Sequence, residues 1–253
     1  QWSGVGYGPA RTSWNAAEAE LGPTEVDELT EVWQAPLPAG TSQPAIDAGR
    51  VPAAAATVRT FPPAAGPSCS GPPLPCPPAW TSVETGMTEV SVSGGVVYAT
   101  GPGVLRAYDA AGVQGCSGTP TTCAALWSAT LPPGAAASPA ITGGRVYVTA
   151  GQLLVFDAAG SAGCGGTPTA CTPLWSSTGT ARGGAAISGG VAYVVQPGDA
   201  VTPLDAIVAY DAAGTTGCGG TPATCAPLRT YDLTDDDECF PHGCVMLGPP
   251  TVS

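Results

Sequence analysis

Cysteine is the residue type whose spacing in this chain could carry chemistry, because paired thiols either bind metals or form disulfides. The ten cysteines fall into five close pairs, and four of these pairs have a separation of seven residues. A C-x6-C spacing matches no common zinc pattern, and only one histidine is present. The even count and local pairing therefore predict disulfides and an oxidising compartment, with metal binding as the alternative. The predicted pairs are Cys69–Cys76, Cys116–Cys123, Cys164–Cys171, Cys218–Cys225 and Cys239–Cys244.

Carboxylates are the second group that could act chemically. Asp109, Asp157 and Asp211 each stand seven residues before the first cysteine of a pair. They could be ligands on a binding face, but a residue that recurs at one phase of a repeat is more typical of a structural role. Because each begins an Asp-Ala-Ala-Gly turn, we interpret all three as turn caps.

An acidic run near the end of the chain is the one candidate metal site. Its oxygen ligands, from Asp235, Asp237 and Glu238, suit Ca²⁺. The run does not match an EF-hand loop, so a solvated acidic loop is the competing interpretation. No other cofactor is predicted.

Candidates for catalysis are few. His242 is the only histidine and lies in a tight Pro/Gly loop between Cys239 and Cys244. The sequence contains no G-x-S-x-G motif, and no cysteine is left over as a nucleophile. These features favour a protein without catalytic activity.

The elements that position these residues are repeated. The first cysteines of four pairs are 47, 48 and 54 residues apart, and Trp80, Trp127, Trp175 and Arg229 stand four residues after the second cysteines. Within a unit, short alternating apolar runs and turn signals such as Gly143-Gly144 predict four strands. Four strands in about 48 residues are typical of one propeller blade. The predicted units are residues 41–86, 87–134, 135–183 and 184–233, after a lead-in at residues 1–31, with the remainder of 32–253 completing the propeller region.

The repeat resembles the PQQ-like, or quinoprotein-type, β-propeller repeat, in which a V-x-A-x-D-x-x-x-G strand is followed by a docking tryptophan. The matching segments are Leu105–Gly112, Leu153–Gly160 and Ile207–Gly214, and the lead-in matches at Trp2, Gly6, Arg11, Asn15 and Glu18. The resemblance implies that Trp80, Trp127 and Trp175 dock between blades. One departure is that a cysteine-bounded loop separates the glycine from the tryptophan, and we predict that these pinned loops line one rim.

Enzymes of the resembled family hold a quinone over Ca²⁺ with Glu, Asn and Asp, near a disulfide between adjacent cysteines. This chain has no Cys-Cys dipeptide and no lysine, and its only asparagine is Asn15. The resemblance therefore implies the fold more firmly than an oxidoreductase activity.

The charge of the chain limits the classes of partner that it could bind. The net charge is −12, and the seven cations are scattered arginines, which argues against nucleic acid and against an anionic membrane surface. No apolar run approaches the roughly 20 residues of a transmembrane segment. With Gln1 in first place and paired cysteines, we expect a processed protein that is secreted or held at the cell surface.

The two ends each resemble part of a further blade: residues 32–37 a last strand and residues 245–253 a first strand. Three interpretations stay open: part of a longer closed ring, a small ring closed by the terminal strands, or an open arc whose ends bind neighbouring copies. We expect a non-catalytic scaffold with protein partners, including copies of itself in a filament. The alternative is part of a PQQ- and Ca²⁺-dependent oxidoreductase.

Overall fold

The computed structural model describes residues 3–13, 15, 23–47, 49–62, 64, 69, 75–198, 205–232, 250 and 251. Within these ranges the one helix is a single turn, α1 (Pro23–Val26), and all other elements are strands. The calcium candidates Asp235, Asp237 and Glu238 lie outside the described residues, as do the Cys239–Cys244 pair and His242.

Blade 1 is the least regular unit. Its antiparallel strands are β1 (Val51–Ala55), β2 (Thr57–Phe61) and β3 (Trp80–Ser82). Residues 42–47 run beside β1, where the backbone N–H groups of Ser42 and Ala45 donate to the carbonyls of Ala54 and Pro52. This segment occupies the place of a first strand.

Blade 2 is a regular four-stranded antiparallel sheet with a short hairpin inserted before its fourth strand. Its strands in chain order are β4 (Glu89–Ser93), β5 (Val96–Gly101), β6 (Val104–Asp109), the hairpin strands β7 (Cys116–Ser117) and β8 (Thr122–Cys123), and β9 (Trp127–Thr130).

Blades 3 and 4 share one long strand. Blade 3 contains β10 (Ala140–Thr142), β11 (Arg145–Thr149), β12 (Gly151–Asp157), the hairpin β13 (Cys164–Gly165) and β14 (Ala170–Cys171), and the first half of β15 (Trp175–Ser188). Blade 4 contains the second half of β15, then β16 (Val191–Gln196), β17 (Ala206–Asp211), the hairpin β18 (Cys218–Gly219) and β19 (Ala223–Cys225), and β20 (Arg229–Asp232). β15 pairs with β12 up to Ala181 and with β16 from Arg182, so it passes from one blade into the next without a break.

The sequence predicted that the pinned loops line one rim. Three of them are two-stranded hairpins that pair with an outer strand of the neighbouring blade. β8 pairs in parallel with β3, β14 with β9, and β19 with β15. Each hairpin thus extends the outer edge of the blade that precedes its own. The sheet of one blade is completed by a segment of the next repeat.

Sequence explains the local turns and strands. Between first and second strands stand Gly94-Gly95, Gly143-Gly144 and Gly189-Gly190, and all six have positive φ, which glycine adopts without steric cost. The strands that follow are rich in Val, Tyr and Ala and bury at least half of their residues, as in Arg145–Thr149.

The core is three layers of apolar side chains, one between each pair of adjacent blades. The layer between blades 3 and 4, for example, joins Leu153 and Val155 of blade 3 to Val194 and Val208 of blade 4, all buried. First strands of neighbouring blades contact each other, so these strands form the inner side of the arc.

The N-terminal residues 3–13 follow this inner side. The N–H of Val92 in blade 2 donates to the Ser3 carbonyl, and the N–H of Ile187 in blade 4 donates to the Pro9 carbonyl, both at 2.8 Å. The segment therefore spans the inner edges of three blades.

Candidate functional site

The most regular feature of the repeat is the outer edge of each blade. On blades 1 to 3 the residue after the docked tryptophan pairs with the residue before the second cysteine of the next hairpin. The pairs are Thr81 with Thr122, Ser128 with Ala170, and Ser176 with Thr224. The N–H of Thr81 donates to Thr121 at 3.1 Å and that of Ser128 to Thr169 at 3.0 Å. Backbone hydrogen bonds in one register thus hold each hairpin on its acceptor strand.

Four of the five predicted disulfides lie within the described residues, and all four are formed. They are Cys69–Cys76, Cys116–Cys123, Cys164–Cys171 and Cys218–Cys225. In three of them the two cysteines face each other directly in the hairpin ladder. The bond closes a ladder of only two residue pairs, which is too short to be stable by itself in water.

The tryptophans that precede these edges dock onto the following blade. Trp80, Trp127 and Trp175 are at most 3% exposed. The ring of Trp80 lies 5.9 Å from Tyr108 in blade 2, and that of Trp175 lies 6.4 Å from Tyr210 in blade 4. These two indoles therefore join the last strand of their own blade to the third strand of the next, whereas the ring of Trp127 lies 6.1 Å from Tyr98 of its own blade.

Glycine makes this docking possible. A Cβ atom on Gly112, Gly160 or Gly214 would lie 2.2–2.5 Å from the Cδ1 atom of the indole docked against it. All three glycines also have φ between +68° and +74°, where a side chain is strained. The Asp-Ala-Ala-Gly turn is therefore the seat for the tryptophan of the preceding blade.

The turn also accepts a hydrogen bond from the preceding blade. Tyr98 OH donates to the Ala158 carbonyl at 3.1 Å, and Tyr147 OH donates to Ala212 at 2.9 Å. In blade 1 the tyrosine position is Ala53, and Trp80 Nε1 donates instead to Ala110 at 3.1 Å. The same carbonyl is thus satisfied at each blade junction.

The recurring aspartates turn their carboxylates onto their own loops. Asp211 accepts the N–H of Thr216 at 2.7 Å, the Thr215 hydroxyl at 2.7 Å and the Thr215 N–H at 2.9 Å. These hydrogen bonds hold the pKa of Asp211 well below its ordinary value. Asp109 and Asp157 make the equivalent contacts to the residues two, four and five positions ahead. Burial works against them, yet the pKa of each is still lowered by these hydrogen bonds.

Arg11 fastens the N-terminal segment inside the arc. Its side chain is buried, with Nε donating to Ala185 of blade 4 and a terminal nitrogen donating to Ser138 of blade 3, both at 2.7 Å. Burial lowers its pKa to about 10, and the negative charge of Glu89 partly offsets this. Glu89 itself has a raised pKa, because burial outweighs the nearby guanidinium. Arg11 belongs to the lead-in motif of the sequence, but nothing in the sequence pattern indicated these buried contacts.

A groove of about 510 Å³ lies between blades 3 and 4 on the side opposite the Asp-Ala-Ala-Gly turns. Alanines 135–137 and Ala181 make up much of its wall, and Arg182 is its one charged lining residue. Arg182 forms an ion pair with Asp205. The cation is therefore neutralised, and nothing else in the wall offers a charge to a ligand.

Blade 4 differs from the other three at its outer edge. In the part of the chain that the structure describes, β20 pairs only with β17, and no hairpin covers its far side. Arg229 stands at the tryptophan position and is exposed, and Leu228 and Tyr231 are 41% and 46% exposed. This side of β20 is termed the bare edge below.

Blade 1 differs from the other blades in the segment that its Cys69–Cys76 loop contacts. Cys69 and Cys76 are joined by a disulfide, and the adjacent Pro75 pairs in parallel with Gln34, which lies in a separate strand-like segment at residues 32–37. The Cys76 N–H donates to the Gln34 carbonyl at 2.9 Å, and the Trp33 ring stacks on Phe61 at 5.9 Å. Residues 32–37 thus take the place of an outer strand whose blade is otherwise not built by the described residues.

Two further properties of the described residues bear on function. Among the described residues there is no group of three or more His, Cys, Asp or Glu side chains placed to hold a metal ion. No helix in the same ranges has the length and apolar character needed to cross a membrane.

Solved structures with a similar fold include enzymes and a designed protein. A quinohemoprotein alcohol dehydrogenase from Comamonas testosteroni superposes with a TM-score of 0.56 at 14% identity, over 83% of this chain and 39% of that one. A europium-containing methanol dehydrogenase gives 0.55 at 12% identity, over 84% and 47%. The computationally designed Ika8 protein gives 0.50 at 14% identity, over 74% and 48%.

These similarities confirm the predicted all-β propeller fold, here an arc of four blades. The chain spans less than half the length of each of these three proteins. No protein-family model matches the sequence, and neither does any curated protein. The identities are too low to transfer an activity.

Proposed function

We propose that this protein is a non-catalytic extracellular scaffold that recruits protein partners, including copies of itself, through the outer edges of its blades. The observation that carries the proposal is the hairpin-to-strand pairing, which repeats at every covered edge and leaves β20 with an acceptor edge of the same kind. An unpaired strand edge is a template for another chain.

The structural roles of the side chains that could have bound a ligand or acted in catalysis also support a scaffold function. The three recurring aspartates hold their own turns, and the three tryptophans are buried between blades. The four disulfides suit an extracellular or periplasmic compartment, where such bonds persist. Secretion is part of this proposal.

The second candidate is part of a quinoprotein-type oxidoreductase, favoured by the fold it shares with the two dehydrogenases. Two observations favour the scaffold function over this candidate. Residues 3–13 occupy the inner edges of blades 2 to 4, and Arg11 bridges two of those edges there. No carboxylate cluster accompanies them within these ranges.

An equilibrium binding experiment separates the two candidates. The purified chain is dialysed against PQQ with Ca²⁺, then examined for quinone absorbance, bound calcium and oxidation of ethanol with an artificial electron acceptor. The scaffold function predicts no retained quinone and no turnover. Retained quinone with turnover would overturn it in favour of the oxidoreductase.

A further inference from the structure

We propose that Thr119, Thr167 and Thr221, one at the tip of each described cystine hairpin, are sites of O-linked glycosylation by a hexose. The inference goes beyond the scaffold function proposed above, because it assigns a covalent modification to these hairpins. It concerns the tips alone, so the backbone pairing of each hairpin with its acceptor strand stays as described.

A Gly-Thr-Pro sequence forms the tip of all three hairpins. Of the six positions between the two cysteines, the second to the fourth are identical in the three copies, whereas the other three positions vary. The identical segments are residues 118–120, 166–168 and 220–222. A residue that all three copies keep while its neighbours change is expected to have a role of its own, either within the fold or outside it.

The glycine and the proline of this sequence have roles in the turn. Gly118, Gly166 and Gly220 have φ between +84° and +87°, a region that glycine adopts without steric cost. Proline has no backbone N–H and its ring fixes φ, so it suits a turn that lies outside the two-residue ladder. The fold therefore accounts for two of the three residues.

The threonine hydroxyl at the tip has no such role. The side chains of Thr119, Thr167 and Thr221 are exposed and form no hydrogen bond with any residue that the structure describes. A threonine in the ladder of the same hairpin behaves differently, since Thr122 Oγ1 donates to the Ser117 carbonyl at 3.4 Å. The tip hydroxyl is therefore kept in three copies without serving the fold.

Hydroxyls in the turns that lead into the hairpins are also engaged. Ser161 Oγ donates to the Asp157 carboxylate at 2.6 Å, and Thr215 Oγ1 donates to the Asp211 carboxylate at 2.7 Å. A hydroxyl held by a carboxylate is less available as an acceptor of a sugar. Within each of these two repeats, the tip threonine is thus a better candidate for modification than the hydroxyl of the preceding turn.

The tips are accessible to an enzyme in the folded protein. The glycine before each tip threonine and the proline after it are exposed as well, so three consecutive residues of each hairpin contact solvent. None of the six residues between the cysteines carries a charge. Segments that combine threonine with proline are typical of O-glycosylated proteins. A transferase can therefore reach each hydroxyl without unfolding the hairpin.

The modification is a group transfer from a hexose that a phosphate ester activates at its anomeric carbon. The threonine Oγ1 forms a bond to that carbon as the nucleophile, and the bond between the carbon and the phosphate oxygen breaks. The phosphate leaves with the electron pair, and the hydroxyl proton passes to a base of the transferase. No atom of the protein is oxidised or reduced, and the product is a threonine glycoside.

Peptide mapping of the protein purified from its natural source tests the proposal. Electron-transfer fragmentation leaves a sugar on its side chain and so identifies the modified residue. We expect hexose on Thr119, Thr167 and Thr221, and none on Thr122 or Thr224. Peptides that lack hexose at all three tips would overturn the proposal, and so would hexose confined to other residues.

Two substitutions at one tip separate the hydroxyl from the shape of the side chain. Thr167→Val keeps the branched shape but lacks the hydroxyl, whereas Thr167→Ser keeps the hydroxyl. When produced in the natural host, T167V is expected to lose the hexose of its hairpin completely, and T167S is expected to keep it. Intact-mass spectrometry should show the loss of that sugar alone, because the other two tips are unchanged. An unchanged sugar content in T167V would contradict the assignment.

The hairpin of blade 2 provides a matched pair of variants. Thr119→Val removes the tip hydroxyl, and Thr122→Val removes the exposed hydroxyl that bonds to Ser117 in the ladder. T119V should lose the hexose of this hairpin, whereas T122V should keep it on Thr119. Equal loss in both variants would mean that the enzyme does not single out the tip hydroxyl, and would overturn the proposal.

Circular dichroism and thermal melting establish that each variant is folded. Since the three tips are independent copies, Thr221→Val repeats the test if T167V or T119V does not fold. The result is also separate from that of the quinone-binding experiment, because sugar content and turnover are different measurements. Hexose on the tips of a chain that oxidises ethanol would reject the scaffold function and retain the modification.

Discussion

The outer strands of blade 2 and blade 4 occupy the same position of the repeat and pair with their third strands in the same way, yet their outward sides differ. At β9 the leading residue is the buried Trp127 and a cystine hairpin covers the strand. At β20 the leading residue is the exposed Arg229, and no hairpin among the described residues covers the strand. The outer edge of a blade in this protein is therefore covered by the hairpin of the repeat that follows it.

The largest test of this comparison is a pair of alanine substitutions at the shared position. Trp127→Ala is expected to lower the free energy of unfolding by about 3–5 kcal/mol, because it removes a buried indole and leaves a cavity. Arg229→Ala is expected to change it by less than about 0.5 kcal/mol, as at an exposed position. Urea denaturation followed by tryptophan fluorescence or circular dichroism measures both, and equal effects would contradict the comparison.

The close packing of the docked indole on a glycine can be tested by substituting two glycines. Gly160→Ala is expected to cost about 3 kcal/mol, since it combines left-handed backbone strain with overlap against the Trp127 ring. Gly143→Ala has similar strain but meets no atom within 4 Å, so it should cost only about 1 kcal/mol. The difference in unfolding free energy isolates the docking contact, and its absence would mean that the indole moves aside freely.

Removal of a covering hairpin's disulfide should convert a covered edge into an open one. The double variant C164A/C171A is expected to lose about 2–3 kcal/mol of stability, the usual effect of opening so small a loop. Hydrogen exchange should quicken at Ser128, whose N–H donates to Thr169 of that hairpin. Exchange at Thr230, on the bare edge, provides the control at chain concentrations too low for self-association, and should be fast before and after the change.

The smallest expected effect concerns acid. Since the folded-state pKa of Asp211 lies below its ordinary value of 3.8, its contribution to stability is present above that pH and is lost as the pH falls further. Asp211→Asn should cost about 1 kcal/mol at pH 7, as for a lost capping carboxylate. It should also flatten the decline in melting temperature below about pH 4. Tyr231→Ser, at an exposed position on the adjacent strand β20, should leave that decline unchanged.

The sequence predicted the strands and turns because their signals are local. Glycine pairs such as Gly143-Gly144 mark hairpins, and the seven-residue cysteine spacing fits a closed hairpin ladder, so the blades and the described disulfides follow from short-range patterns. The turn interpretation of Asp157 rests on the same local chemistry, and the structure places its carboxylate on Ser161 and Ala162.

The remaining features depend on contacts that no local pattern records. The hairpin at Cys164 lies between two strands of its own repeat, yet it pairs with β9 of the preceding blade. Likewise the buried contacts of Arg11 are made to Ser138 and Ala185, far along the chain. A repeat that places the hairpin after the glycine in every unit gives no sign of which blade receives it.

The path of the N-terminal segment has a consequence for the order of folding. Arg11 is synthesised before Ala185, whose carbonyl accepts its Nε hydrogen bond and which lies 174 residues later. The hydrogen bond from Arg11 Nε therefore cannot form until the first half of blade 4 has been synthesised. Such long-range closure is entropically slow, whereas each blade pairs its strands locally. We therefore expect the blades to form in succession and residues 3–13 to dock last, as the step that fixes the angle between blades 2, 3 and 4.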